Sequence, residues 1–139
     1  MQTTSNDAGY SGKPLWQKLG LKPGLCVHLS EAVERYAQLT GFDMTQVTLA
    51  RHGAPFNFGH VFVQSREALA QALAALDERL APDGQLWISW PKKASKIATD
   101  VTEDTVRELA LPRQLVDVKV CAVDATWSGL KLVRRKSAR

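Results

Sequence analysis

A short run without polar alternation, Leu25-Cys26-Val27-His28-Leu29, constrains the fold more than any other feature of this chain. Its length suits a strand. A strand apolar on both faces belongs inside a parallel sheet covered on both sides by helices. Two further segments read as strands of the same kind, His60-Val61-Phe62-Val63 and Gln85 to Trp90, and Val47-Thr48-Leu49-Ala50 adds another. Pro91 closes the Gln85–Trp90 strand, because proline cannot continue a central ladder.

The segments between them carry helix signals. Lys13 to Gly20 reads as a short helix ended by Gly20. Ser30 stands as N-cap of a helix reaching about Thr40, with Glu31 in its first turn and Gly41 as its stop. Arg51 to Gly59 reads as a loop. Ser65 caps a longer helix whose Leu69, Leu73, Leu76 and Leu80 recur at spacings of four, three and four, one apolar stripe. Pro82-Asp83-Gly84 predicts a tight turn, and Thr102 to Ala110 a further helix closed by Pro112. The chain then gives two strands, Val116 to Val123 and Trp127 to Arg134, around a turn at Asp124-Ala125-Thr126. Asp117, Lys119 and Cys121 alternate with Val116, Val118 and Val120, the pattern of an edge strand with one wet face. The order β-α-β-β-α-β-α-β-β predicts a Rossmann-like α/β sandwich of about six strands, mostly parallel, with right-handed crossovers and a closing antiparallel hairpin.

A chain of 139 residues, 45% hydrophobic and 23% charged, is enough for one domain with a real core. Residues 13–134 are expected to form it, after a flexible polar leader at 1–12 and before a basic tail at 135–139. No apolar stretch approaches the ~18–20 residues of a membrane span, and the leader lacks a signal-peptide core. A cytoplasmic protein is expected. Much of the net charge of +4 comes from Lys131, Arg134, Arg135, Lys136 and Arg139 near one terminus. That is weak support for a nucleic-acid face and reads first as a solvated tail. Cys26 and Cys121 form no CxxC and have no histidine at ligand spacing, so both read as small core residues and no metal is expected.

The element order, with Leu80-Ala81-Pro82-Asp83-Gly84 before a strand and a final β-hairpin, resembles the class I methyltransferase fold with one strand–helix unit missing. Gly9-Tyr10-Ser11-Gly12, Trp90-Pro91-Lys92-Lys93, Val118-Lys119-Val120-Cys121-Ala122-Val123-Asp124 and Thr126-Trp127-Ser128-Gly129-Leu130-Lys131 also resemble a small bacterial family of uncharacterised function. The methyltransferase resemblance implies a glycine-rich turn after the first strand, where a cofactor approaches the backbone closely, and an acid ending the second strand. This chain has His28-Leu29-Ser30-Glu31-Ala32-Val33 at the first place and Arg51-His52 at the second. No cofactor is therefore expected, S-adenosylmethionine included.

Ligands of open parallel sheets bind beyond the carboxyl ends of the strands. Those ends carry Ser30 and Glu31, Arg51 and His52, Ser65 and Arg66, Trp90 with Lys92 and Lys93, and, across the hairpin turn, Asp124, Thr126 and Trp127. Cations beside two helix N-termini favour an anion, and two tryptophans offer a flat surface. The expected ligand is a small anion, a nucleotide or phosphorylated metabolite. The plainer reading of the same residues is solvated lysines, packing tryptophans and an Asx turn at Asp124. His28 reads as a hydrogen-bonded core histidine, and nothing in the sequence pairs His52 or His60 with a nucleophile. No Walker loop, GxSxG elbow, HExxH or paired-carboxylate motif occurs. The expected function is a non-catalytic binding or regulatory module. The alternatives are a divergent methyltransferase or other transferase, a nucleic-acid-associated protein, and a protein-interaction subunit that uses its edge strand.

Overall fold

A computed structural model describes residues 12–139, so nearly all of the expected leader and most of Gly9-Tyr10-Ser11-Gly12 lie outside the described residues. Six strands form one sheet: β1 (Cys26–Leu29), β2 (Thr48–Leu49), β3 (Phe56–Phe62), β4 (Leu80–Pro91), β5 (Leu115–Ala122) and β6 (Trp127–Arg134). Their spatial order is β2-β1-β3-β4-β6-β5, with β2, β1, β3 and β4 parallel and β6 antiparallel to both its neighbours. The α/β fold with a mostly parallel sheet and a closing hairpin is as the sequence predicts.

Helices cover both faces. On one side α1 (Leu15–Leu19) and α2 (Val33–Thr40) pack with Val27, Phe58, Trp87 and Cys121. On the other α3 (Arg66–Leu76) and α4 (Glu103–Ala110) pack with Val61, Leu86, Ile88, Trp90, Leu130 and Leu132. Leu86, Trp87 and Ile88 thus alternate between two buried faces, which is why β4 reads as continuously apolar. The caps follow the sequence at α1, ended by left-handed Gly20, and at α3, where the Ala68 amide donates to Ser65 Oγ at 3.0 Å. No helix among the described residues is long and apolar enough to cross a membrane.

Four local expectations change. β3 begins at Phe56, inside the stretch read as a loop: Phe56 and Phe58 are both buried, and a register shift between them sends them into opposite cores. β4 begins at Leu80, and Pro82-Asp83-Gly84 belongs to an outward excursion: Leu80 pairs with Phe56, and Gln85 already with Phe58. Ser30 does not cap α2. Its Oγ accepts from the Phe62 amide at 2.9 Å and its own amide donates to His60 O, stitching β1 to β3, while Ala32 occupies the cap position. The wet face of β5 also differs. The register slips between Asp117 and Lys119, so Cys121 turns into the α1/α2 core while Val118 and Val120 are exposed.

The link from β2 to β3 positions the candidate site. Parallel strands ordinarily need a crossover of about a dozen residues, yet this one spans only 50–55. Arg79 holds it, donating from Nε to Ala54 O at 2.8 Å and from Nη2 to Arg51 O at 3.4 Å, with its guanidinium over the Phe56 ring. So short a crossover leaves a recess beside β1 and β2.

Candidate cofactor recess at the carboxyl edge

The strand order reverses between β1 and β3: β1 leads through α2 to one edge, and β3 through α3 toward the other. Beside this switch point lies a recess of about 270 Å³, lined by Val27, Leu29, Val33, Leu49, Glu31 and His52 together with His28, Ala50 and Arg79. Its apolar walls come from the ends of β1 and β2 and the start of α2, and Glu31 stands in the β1–α2 turn. His28 is half-buried, its ring tilted against Phe56 at 5.5 Å. Burial, and then the Arg79 guanidinium, push its proton affinity below the ordinary imidazole value.

The rim residues named from the sequence divide into groups. Arg51 and His52 are exposed in the β2–β3 link, and His52 reaches the recess. Ser30 is committed to the β1–β3 stitch. The Arg66 guanidinium pairs with Glu108 and its amide donates to Asp100 Oδ1 at 2.6 Å, so with Ser65 the α3 N-terminus is satisfied by the chain itself. The amide of Lys92 donates to Thr126 O at 2.8 Å, bringing the loop after β4 against the hairpin turn. Lys92 and Lys93 form no ion pair among the described residues. Asp124 Oδ1 accepts from the amides of Thr126 and Trp127, both at 2.8 Å, an Asx turn. The two tryptophans do not share a surface. Trp90 is buried against the α3/α4 core, whereas Trp127 meets the edge of Phe62 on the α2 side, ring centres 5.1 Å apart.

Sequence reasoning missed the most elaborate polar feature. His60 is fully buried, with Nδ1 2.7 Å from Tyr36 Oη and Nε2 2.7 Å from Ser89 Oγ. The histidine locked in the core by hydrogen bonds is therefore His60 rather than His28, and a serine does pair with it. Burial lowers its pKa to about 3. Ser89 is itself wholly buried, which denies the pair any role as a surface nucleophile. The only advance signal was a histidine two residues from Phe62 in a strand, and its partners lie 24 and 29 residues away. Among the described residues no cluster of three or more His, Cys, Asp or Glu could hold a metal ion.

No protein-family model matches the chain, and neither does any curated protein. Solved structures do. The magnesium protoporphyrin IX methyltransferase of Synechocystis PCC 6803 with bound S-adenosylmethionine is similar over 81% of this chain and 71% of its own, at 15% identity and a TM-score of 0.55. The same enzyme with bound S-adenosylhomocysteine gives 13% identity, a TM-score of 0.54, and coverage of 81% and 74%. The ribosomal protein L11 methylase of Lactobacillus delbrueckii subsp. bulgaricus gives 15% identity and a TM-score of 0.53 over 86% of this chain and 74% of that one.

These likenesses overturn two expectations drawn from the sequence, the non-catalytic module and the exclusion of S-adenosylmethionine. The exclusion of S-adenosylmethionine rested on the missing glycine turn and the missing acid after the second strand, and the non-catalytic module on those together with the charge of the rim. The fold leaves a recess at the corresponding ends of β1 and β2 in spite of both, and Glu31 brings a carboxylate to it from the neighbouring turn. This chain has the Rossmann-like fold of the class I methyltransferases.

Proposed function

We propose that the chain is a methyltransferase-type enzyme that holds S-adenosylmethionine in the recess at the carboxyl ends of β1 and β2. The observation that carries this reading is a recess beside the switch point whose lining combines apolar residues of β1, β2 and α2 with the carboxylate-bearing Glu31. Val27, Leu29, Val33 and Leu49 supply an apolar lining for an adenine ring. Glu31 is placed to accept hydrogen bonds from ribose hydroxyls, the task that the resemblance assigns to an acid after the second strand. The first turn of α2 carries no side-chain cap, so its amides favour a carboxylate. The recess is slightly smaller than the roughly 300–1,000 Å³ of common small-molecule sites, a size for the nucleoside portion.

The bound cofactor would supply an electrophilic methyl group. His28, kept neutral at pH 7 by burial and Arg79, presents an imidazole in the same recess that can accept a hydrogen bond or a proton.

Calorimetry with S-adenosylmethionine and S-adenosylhomocysteine tests the proposal. At about a hundred times its dissociation constant the ligand should stabilise the fold by about 2.7 kcal/mol, a rise of several degrees in Tm. Glu31→Gln should weaken binding by about tenfold. The absence of both heat and a thermal shift at millimolar ligand would overturn the reading.

A further inference from the structure

On the α2 side of the same edge lies a second recess, of about 130 Å³, walled by Tyr36, Leu39, Phe62 and Trp127 with Glu31, Arg35 and Asp124 around it. We propose that it binds a flat aromatic ring carrying a cationic substituent, the acceptor for the transferred group. Only the word acceptor rests on the methyltransferase-type reading; the binding site stands on its own geometry.

Size sets the first limit. An apolar cavity of about 150 Å³ takes up one benzene molecule, so this recess has room for about one six-membered ring. Its walls suit such a ring. Phe62 and Trp127 meet edge to face at 5.1 Å, an arrangement that leaves aromatic surface on two sides.

The walls are also fixed before any ligand arrives. Phe62 stacks on His60 at 4.4 Å with the planes 14° apart, and His60 is pinned between Tyr36 and Ser89. The backbone under Trp127 is fixed by the hydrogen bond its N–H donates to Asp124 Oδ1. Walls that need not be ordered on binding add affinity by removing that cost.

Charge selects the substituent. Two carboxylates, Glu31 and Asp124, line the recess with one guanidinium, that of Arg35, whose side chain is 80% exposed and whose Nη1 lies 4.0 Å from Glu31. Asp124 spends Oδ1 on its own turn and makes no ion pair among the described residues, so its charge remains available. Glu31 offsets Arg35, which leaves one net negative charge, and an aromatic face beside a carboxylate attracts cations through both the ring quadrupole and the charge. The recess is therefore opposite in character to the lysine-bearing rim at Lys92 and Lys93.

The four tryptophans, Trp16, Trp87, Trp90 and Trp127, give four indole N–H signals in a proton–nitrogen spectrum of the full chain, and Trp127→Phe identifies one of them. Titration with 2-phenylethylammonium, without S-adenosylmethionine, should move the Trp127 signal saturably. Phenylacetate, the same ring with the opposite charge, should bind at least about tenfold more weakly. Asp124→Asn keeps the Oδ1 acceptor and hence the turn, and should weaken the ammonium by about fivefold. A Trp127 signal that stays still, or an equal response to both probes, or an unchanged affinity in Asp124→Asn, overturns the proposal. If the ammonium binds while S-adenosylmethionine gives no heat, this recess stands and the cofactor assignment alone falls.

Discussion

At the scale of single residues, His60 decides the acid response of the protein. An imidazole has two ring nitrogens, and in the neutral form one donates and the other accepts. Tyr36 Oη and Ser89 Oγ can each take either role, so both bonds are satisfied in either tautomer. Protonation would leave a charge fully buried, and burial accordingly lowers the pKa to about 3. The unfolded chain takes up that proton below about pH 6.5. It therefore binds the extra proton throughout the window from about 6.5 to 3. The His60 contribution is whole above that window, and stability falls as the pH drops through it, by about 1.4 kcal/mol per pH unit. Urea unfolding at pH 7, 6 and 5 should show stability falling, most steeply below pH 6, and His60→Asn should lose most of that fall, leaving the part that the lowered proton affinity of His28 contributes. Ser89→Ala strands one ring nitrogen away from water and should cost about 1–3 kcal/mol at pH 7. A change below about 0.5 kcal/mol would mean that water replaces the hydroxyl.

Whole elements show why two serines of the same sequence context behave differently. Ser30 and Ser65 each precede a helix, and local propensity treats both as caps. Ser65 is one, whereas Ser30 is recruited by β3, because the strand reversal brings the Phe62 amide within 2.9 Å of its hydroxyl. Ser65→Ala should cost about 1 kcal/mol and speed hydrogen exchange at the Ala68 amide. Ser30→Ala should speed exchange at the Phe62 amide and leave the first turn of α2 unchanged. Faster exchange in α2 instead would contradict the stitch. The same contrast separates what was legible from what was not. Leu69, Leu73 and Leu76 of the α3 stripe, the Gly20 and Gly41 stops and the closing hairpin are written in neighbouring residues, and the sequence shows them, whereas Leu80, expected as the fourth leucine of that stripe, begins β4. The start of β3 at Phe56, the slip at Asp117–Lys119 and the His60–Ser89 pair depend on which strands become neighbours. Of the residues lining the two recesses, Glu31 and His52 of the first and Asp124 and Trp127 of the second are named at strand ends by the sequence. The β1 and β2 walls are not, because their recess is made by a crossover shorter than any local pattern announces.

Across the whole molecule, the end of the sheet opposite the recesses is closed by one long-range tie. Arg134, near the end of β6, donates from Nη1 to Asp77 Oδ1 at 2.6 Å and to Arg113 O at 3.0 Å, and from Nη2 to Asp77 O. It thereby joins the turn after α3, the turn after α4 and the last strand, elements that share no sequence neighbourhood. The side chains of Arg134 and Asp77 are 13% and 20% exposed, so the pair is largely but not wholly desolvated. Breaking a fully buried pair by removing one partner costs about 3–5 kcal/mol. Residual solvent and the second guanidinium of Arg113, 3.4 Å from Asp77 Oδ2, reduce that here. Arg134→Met, which keeps the apolar stem, should therefore cost about 2 kcal/mol, lowering Tm by several degrees. Much of that loss is the stranded carboxylate rather than the missing attraction. Adding Asp77→Asn to Arg134→Met removes the stranded charge and should restore part of the stability. If the double variant instead loses the sum of the two single losses, Arg134 and Asp77 act independently. The tie would then be a surface pair worth little, and the packing of α3 and α4 on the sheet would hold this end of the molecule without it.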